Sequence, residues 1–533
     1  MKNHYKNYFI NLMFPAFILG ACSGIFTSLV VLLYKLCAKY IIGFSEKFYH
    51  YLGDNLSVLP IVICALFVVA FLFAYLYKHV SNLRGGGIPA SIGFLRGILP
   101  FKWVRNIFGV FILSLIHFFI GVPLGNEGPS VQMGTAIGRG CVYTFAKKNR
   151  AWDRYSMTGG ACAGFAVATG APISGIIFAI EEAHQRISPM IIIVASASVM
   201  FSHLTAELLS PLLGVSLSLF PKMELIKLSA VDIWIPIVVG LVIGLFAVLF
   251  LNYYKVINTF VNKILKKIPL SLKIFTVYLA TLILGIVSYS FISTGHELIL
   301  ELFHGEIAII MLAVILLVRS TVTLSANTSG LTGGIFLPIL ALGAVLSSIL
   351  GKLGQLAFGI GHEYYVMILV FGIIACVSGM MKMPLTAIIF AVEALSCHDN
   401  ILFVITASAV AFVITEIFET KSINDTVLYR KIDEMHEGKT PTLIDARVTV
   451  KEGAFAIGKQ TRDIFWPSNL FVLSVKHSET LKTVVDGHGG KEIMAGDVLH
   501  IRYSTYDEEQ TLEELVAIVG EQKLKDPKKT RIS

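Results

Sequence analysis

Charged residues are scarce in this chain of 533 residues. Asp, Glu, Lys and Arg together make 15% and apolar residues 55%, a balance that excludes an ordinary soluble globule. Cysteine supplies no framework. Cys22, Cys37, Cys64, Cys141, Cys162, Cys376 and Cys397 fall at scattered spacings in apolar stretches, with neither a metal-ligand pattern nor a disulfide scaffold. No nucleophile elbow or phosphate-binding loop of known form is present. The glycine run Gly85-Gly86-Gly87 precedes Ile-Pro with no soluble βαβ unit around it, and His296-Glu297 lacks the second histidine of a zinc-protease helix. Neither enzymatic chemistry nor a cofactor or metal is expected. A formal charge of +8 is spread over loops such as 147–150 and 263–273, with no basic domain, so nucleic acid is a poor partner.

What is abundant is apolar sequence of membrane-spanning length. Runs at 9–34, 60–77, 233–251, 274–292 and 401–417 are long enough to cross a bilayer, and shorter ones at 88–99 and 128–141 are interrupted by Gly and Pro. Broken segments survive at membrane depth only where they line a cavity or are buried in protein, which points to a transporter or channel interior. The positive-inside rule places the basic loops in the cytoplasm, and residues 1–8 read as an uncleaved cytoplasmic start to a multi-pass inner-membrane protein. After Glu419 the composition turns polar. Alternating runs at 446–450, 470–476 and 498–503 read as strands and 509–520 as a closing amphipathic helix. The division expected is a transport domain over 1–437, a small cytoplasmic α+β domain over 440–522 that also holds the C-terminus inside the cell, and a flexible basic tail over 523–533.

Two ordered matches link the halves of the apolar region. Gly-Ala-Pro-Ile-Ser-Gly-Ile-Ile-Phe-Ala-Ile-Glu, ending at Glu181, matches Lys-Met-Pro-Leu-Thr-Ala-Ile-Ile-Phe-Ala-Val-Glu, ending at Glu393. Upstream, Gly-Asn-Glu-Gly-Pro from Gly125 matches Gly-Ile-Phe-Leu-Pro from Gly334 at nearly the same spacing, with Phe336 standing where Glu127 stands. A duplication over about 60–215 and 230–420 follows. Glu127 then lies in the first turn of a helix at membrane depth, where an ionisable group is costly and usually functional. Helix N-termini attract anions through unpaired N–H groups and the dipole, so a carboxylate there competes with an anion and leaves when protonated.

These motifs resemble the CLC-type chloride channels and proton-coupled chloride antiporters. The family's Gly-Ser-Gly-Ile-Pro appears as Gly85, Gly86, Gly87, Ile88 and Pro89. Its Gly-(Lys/Arg)-Glu-Gly-Pro appears as Gly125, Asn126, Glu127, Gly128 and Pro129, and its Gly-x-Phe-x-Pro as Gly334, Ile335, Phe336, Leu337 and Pro338. The resemblance implies an inverted repeat of tilted, broken helices in a homodimer, with an anion pathway in each subunit. It also implies that Glu127 is the gate, that backbone amides at these three motifs cradle chloride, and that the hydroxyl of Tyr429 helps. Glu182, in Ile-Glu-Glu-Ala-His, matches the internal proton acceptor of the exchanging members, although an acid near a helix end also serves as a simple cap. Gly86 replaces the serine that normally contacts the central anion and Asn126 removes a positive charge, which opens the choice among chloride, nitrate and fluoride.

The C-terminal domain resembles the TrkA-C module, on Ala-Ile-Gly-Lys-Gln-Thr-Arg-Asp-Ile-Phe-Trp ending at Trp466, the run 470–476 and Met-Ala-Gly-Asp-Val-Leu-His-Ile ending at Ile501. That resemblance implies sensing of a small molecule or nucleotide, or a dimerising clamp without a ligand. His117 reads as a hydrogen-bonded packing residue. Glu207 and Glu393 read as acids without a direct proton role, Glu393 inherited from the duplication. The leading function is exchange of chloride, or a similar small anion, for protons. The alternative is a voltage- or ligand-gated passive anion channel. A membrane scaffold serving only the sensor domain fits poorly beside intact transport motifs. A potassium transporter would want a carbonyl-lined filter or acidic rings.

Overall fold

The computed structural model describes residues 12–146, 149–436, 438–478, 483–485, 489–490 and 492–531. The expected cytoplasmic start at 1–8 and part of the basic loop at 147–150 lie outside them. The first half contains α1 (Phe14–Asp54), α2 (Leu59–His79), α3 (Ile88–Leu95), α4 (Trp103–Ile120), α5 (Glu127–Phe145), α6 (Asp153–Thr169), α7 (Pro172–Phe178) and α8 (Pro189–Leu213). The second contains α9 (Trp234–Thr259), α10 (Leu270–Val287), α11 (His296–His304), α12 (Ile309–Ser329), α13 (Phe336–Phe358), α14 (His362–Met381), α15 (Pro384–Ala394) and α16 (Ile401–Ile417), and α17 (Ile423–Met435) follows the last span. Among the described residues ten helical segments are long and apolar enough to cross a membrane, so the chain is a multi-pass membrane protein.

Proline sets the short elements. Pro89, Pro172 and Pro384 open α3, α7 and α15 in the first turn, where a missing N–H costs nothing and the fixed φ suits the helix. The stretch 128–141 departs from expectation: it lies within one continuous helix, α5, of 19 residues. Its glycines serve close packing instead of a break. A Cβ on Gly134 would sit 2.1 Å from the Gly160 carbonyl oxygen of α6, and one on Gly138 would sit 2.2 Å from that of Ser156. The same device joins α1 to α8, where a Cβ on Gly24 would meet the Ser198 oxygen at 2.2 Å. Between helices in lipid, van der Waals contact of this kind supplies association that hydrophobicity cannot.

The C-terminal domain holds β1 (Thr442–Thr449), β2 (Leu470–Lys476), β3 (Thr483–Val485), β4 (Val498–Thr505), α18 (Glu508–Val519) and β5 (Lys525–Arg531). They form one antiparallel sheet in the order β3-β2-β4-β1-β5. Alternation puts Ile444, Ala446 and Val448 opposite Tyr503, Ile501 and Leu499 on the buried face, where α18 covers them with Leu515, Ile518 and Val519. The basic tail corrects the expectation of a frayed end. Residues 525–531 pair with β1 as an exposed edge strand, because backbone hydrogen bonding needs no apolar side chain. Their lysines also protect that edge from further pairing.

This domain is docked on the membrane helices. Phe455 meets Trp152 edge-to-face at 5.1 Å, and Phe465 meets Tyr155 at 4.5 Å and the His184 ring at 4.7 Å. Arg154 donates to Glu514 at 2.6 Å and to the Trp466 carbonyl, Arg150 pairs with Glu513, and Tyr155 donates to the Asp463 carbonyl.

Candidate functional site

Three glycine turns from distant parts of the chain meet in the protein interior. Gly125 donates to the Gly334 carbonyl at 2.7 Å and Gly334 returns the bond at 2.9 Å, a single antiparallel bridge between the duplicated motifs. Gly85 joins them by donating to Gly330 at 2.7 Å. Side chains are excluded by contact: a Cβ on Gly128 would sit 2.6 Å from the Gly334 Cα, and one on Gly87 would sit 3.1 Å from the Gly333 oxygen. Gly85 and Gly87 also have φ of +56° and +88°, which disfavours any other residue. Three helices, α3, α5 and α13, therefore start at one place, and their first-turn N–H groups have no intrahelical acceptors. Together they form a cradle of backbone donors of the kind that suits an anion.

Glu127 opens α5 inside this cradle and is fully buried. Its carboxylate folds back over Gly125, 2.4 Å from where a Cβ would stand there, and neither oxygen has a well-formed hydrogen bond among the described residues. It faces its own amide and that of Leu337. Asn126, half-buried, caps α5 without a side-chain bond, and its carbonyl receives Ser130. Ile88, Pro89, Pro129, Ile335, Phe336 and Leu337 are all buried around the turns. The Phe336 ring meets Phe165 at 5.3 Å and Phe390 at 5.6 Å, both edge-to-face, so an apolar plug occupies the position matching Glu127 in the second repeat.

Gly86 has acquired a neighbour. The Gln132 side-chain oxygen accepts from the Gly87 N–H at 2.5 Å and lies 2.3 Å from where a Cβ on Gly86 would be. Gln132 comes from α5, one and a half turns beyond Glu127. Sequence reading missed it because nothing in a lone Gln on a helix marks a partner so far along the chain.

Glu182 lies in a wide helical turn after α7 and is 2% exposed. Its Oε1 accepts from Asn424 Nδ2 at 2.9 Å. Arg96 holds the turn in place by donating to the Glu182 and Ala183 carbonyls at 3.1 and 3.2 Å. Phe178, one helical turn earlier, stacks on Phe165 at 5.3 Å, and Phe165 in turn meets Phe336. Aromatic rings thus run from the helix before Glu182 to the start of α13.

Tyr429 makes no hydrogen bond to the glycine turns among the described residues. Along α17 the buried residues are Ile423, Asn424, Val427, Leu428 and Lys431, and helical periodicity turns Tyr429 to the other face. It is half exposed, with the Lys421 ammonium 5.2 Å from its ring centre. The first-turn residue Asn424 faces inward instead. A polar residue just inside the serine cap after the last membrane span was the available sequence signal for it. His117 is a satisfied packing residue, bonded to the Thr332 carbonyl at 2.8 Å and Tyr278 at 2.9 Å. Glu207 pairs with His203 one turn back on α8.

The family model described as voltage gated chloride channel matches residues 64–416. Among solved structures, a slow cyanobacterial Cl-/H+ antiporter is 23% identical, with a TM-score of 0.71 over 79% of this chain and 98% of its own. A CLC-type fluoride/proton antiporter is 18% identical, with a TM-score of 0.63 over 76% of this chain and 96% of its own. A eukaryotic CLC transporter is 17% identical, with a TM-score of 0.62 over 79% of this chain and 75% of its own.

Proposed function

The chain belongs to the voltage gated chloride channel family, and from that premise we propose that it exchanges chloride, or a similar small anion, for protons. The observation that carries this reading is the state of Glu127: a fully buried carboxylate, without a formed hydrogen bond, at the meeting point of three helix N-termini. An ionised carboxylate there takes the place of an anion in the field of the helix ends. A protonated one loses that attraction, swings aside and lets an anion in. The gate is therefore also a proton carrier, and anion and proton travel in opposite directions through one group. Donors of partial charge suit a transient anion better than a lysine, which would hold it too tightly.

Glu182 supplies the second half of the reading. It is a buried acid on a separate element, two residues from His184, whose ring Phe465 of the docked C-terminal domain covers. Protons collected there pass toward Glu127. The neighbouring structures whose names state antiport support exchange over passive conduction. The gap at Gly86 filled by Gln132 makes the anion preference a property of this chain rather than of the family pattern.

We further propose an inner-membrane homodimer with both termini in the cytoplasm, whose C-terminal domain adjusts transport in response to a small molecule or nucleotide. Support for regulation comes from the docking, which brings Phe465 against His184, two residues from Glu182. A cavity of about 230 Å³ between the domains is lined by Arg139, Arg150, Arg154, Asp153, Glu513 and Glu514 among others.

The test is purified protein in sealed liposomes under a chloride gradient, with a pH electrode outside. Uphill proton movement driven by chloride establishes exchange. Chloride release without proton movement makes the protein a channel.

A further inference from the structure

Asn424 is the sole side chain bonded to the Glu182 carboxylate among the described residues, and only half of its amide is in use. It is fully buried in the first turn of α17, where Ser422 caps the helix by accepting from Asp425 N–H at 3.0 Å. Nδ2 donates to Glu182 Oε1, while Oδ1 is buried with no partner among the described residues. An orphaned buried carbonyl oxygen forfeits its hydration, and such groups call for an explanation.

The other charged and titratable groups near Glu182 have partners of their own. Arg96 is bonded to two backbone carbonyls and lies 3.6 Å from Asp425. Glu181 gives both oxygens to the first turn of α15. His184 is bonded to Thr158 at 2.7 Å. Arg154 reaches Glu514, and the Arg186 guanidinium lies over Phe465. None of them contributes a hydrogen bond to the Glu182 side chain.

An acid that cycles its proton presents opposite demands. Ionised, it only accepts hydrogen bonds; protonated, it also donates one. A primary amide meets both demands by a half-turn of its terminal torsion, which exchanges Nδ2 for Oδ1. We infer that Asn424 is a positioning residue for Glu182, its Nδ2 holding the carboxylate and its now-unpaired Oδ1 receiving the proton of the carboxylic acid. Glu182 then keeps one place in both protonation states, and the orphan oxygen is the acceptor for the state with a proton. The inference rests on the exchange reading for its transport consequence, but the contact itself is testable without transport.

Three variants separate the possibilities: Asn424→Leu, Asn424→Ser, whose hydroxyl can donate and accept, and Glu182→Gln. Infrared difference spectra of the wild-type protein between high and low pH should contain a protonated-carboxyl band that Glu182→Gln removes. In Asn424→Leu that band should move to higher frequency and its titration midpoint should shift. In liposomes Asn424→Leu should keep chloride flux while the protons moved per chloride fall at least severalfold, and Asn424→Ser should recover much of the loss. An unmoved band with an unchanged proton-to-chloride ratio in Asn424→Leu overturns the inference. If Asn424→Leu does not fold, Asn424→Ala takes its place with the same two readouts and the same expected shifts. Wild-type vesicles that pass chloride without protons overturn the exchange reading and the coupling role together, while the infrared band still reports on the contact alone.

Discussion

Glu181 and Glu393 each close the helix of the other repeat. The Glu181 carboxylate accepts from the N–H groups of Leu385 and Thr386 and from the Thr386 hydroxyl, at 2.7 to 2.8 Å, at the start of α15. The Glu393 carboxylate accepts from the N–H groups of Ile173 and Ser174 and from the Ser174 hydroxyl, over the same distances, at the start of α7. Such reciprocity is what a local two-fold between the halves produces. It also satisfies orphan helix donors with negative charge at the favourable dipole end. Both carboxylates are committed to helix ends, whereas the adjacent Glu182 side chain meets only Asn424 among the described residues.

Glu393→Ala should therefore destabilise the protein without uncoupling it. Charge-assisted bonds to two amides and a hydroxyl are lost, at a cost of roughly 1–3 kcal/mol. Glu181→Ala should cost about as much, since its contacts are the same in kind. Thermal unfolding in detergent measures both, and the proton-to-chloride ratio should stay at the wild-type value.

Glu127→Gln and Glu127→Ala should conduct anions with proton coupling abolished, because the proposed gate no longer carries a proton. Glu182→Gln should retain chloride flux and lose proton transport. Chloride-driven acidification that persists in Glu127→Ala would remove this residue from the mechanism.

Gly86→Ser should retune the anion site. The new side chain displaces the Gln132 tip and adds one hydroxyl donor. A net hydrogen bond of about 1 kcal/mol corresponds to roughly fivefold tighter chloride binding. Calorimetric titration with chloride, nitrate and fluoride reads the change, and Gln132→Ala should shift the same preferences without altering coupling.

Glu513→Lys combined with Glu514→Lys should loosen the docked domain by reversing its pairs with Arg150 and Arg154. Partly exposed pairs are weak singly, at about 0–1 kcal/mol each, but four like charges now face one another. We expect turnover to rise by up to about tenfold, the equivalent of ~1.4 kcal/mol, as the cover over His184 is released. An unchanged rate would show that docking does not restrain transport.

The C-terminal domain should carry an acid-side weakness at Asp445. Hydrogen bonds from His500 at 2.6 Å and from Arg502 at 2.6 and 2.9 Å hold its carboxyl below the usual carboxylate range. A depressed folded-state pKa means that the stabilisation is fully present above the unfolded value of about 3.9 and fades as pH falls through the folded one. Asp445→Asn should flatten the loss of domain stability below about pH 4, as read by tryptophan fluorescence. The effect should be small, because the pair is exposed to solvent.

Much of this protein is legible in order along the chain. Apolar length marks the spans, the matching motifs at Gly125 and Gly334 mark the duplication, and alternation locates β2 and β4. Those signals depend on local composition and period, which a sequence carries directly. The cost of a carboxylate at membrane depth singles out Glu127 from its apolar surroundings in the chain alone. Other features depend on which face of an element turns inward and on what lies opposite. Asn424 and Tyr429 share one helix and differ only in direction, and that direction sends the amide to Glu182 and the phenol to Lys421. Gln132 beside Gly86, the exchange of caps between Glu181 and Glu393, and the covering of His184 by Phe465 join residues far apart in sequence. Only packing in three dimensions decides such partners, because each contact depends on the placement of two elements at once.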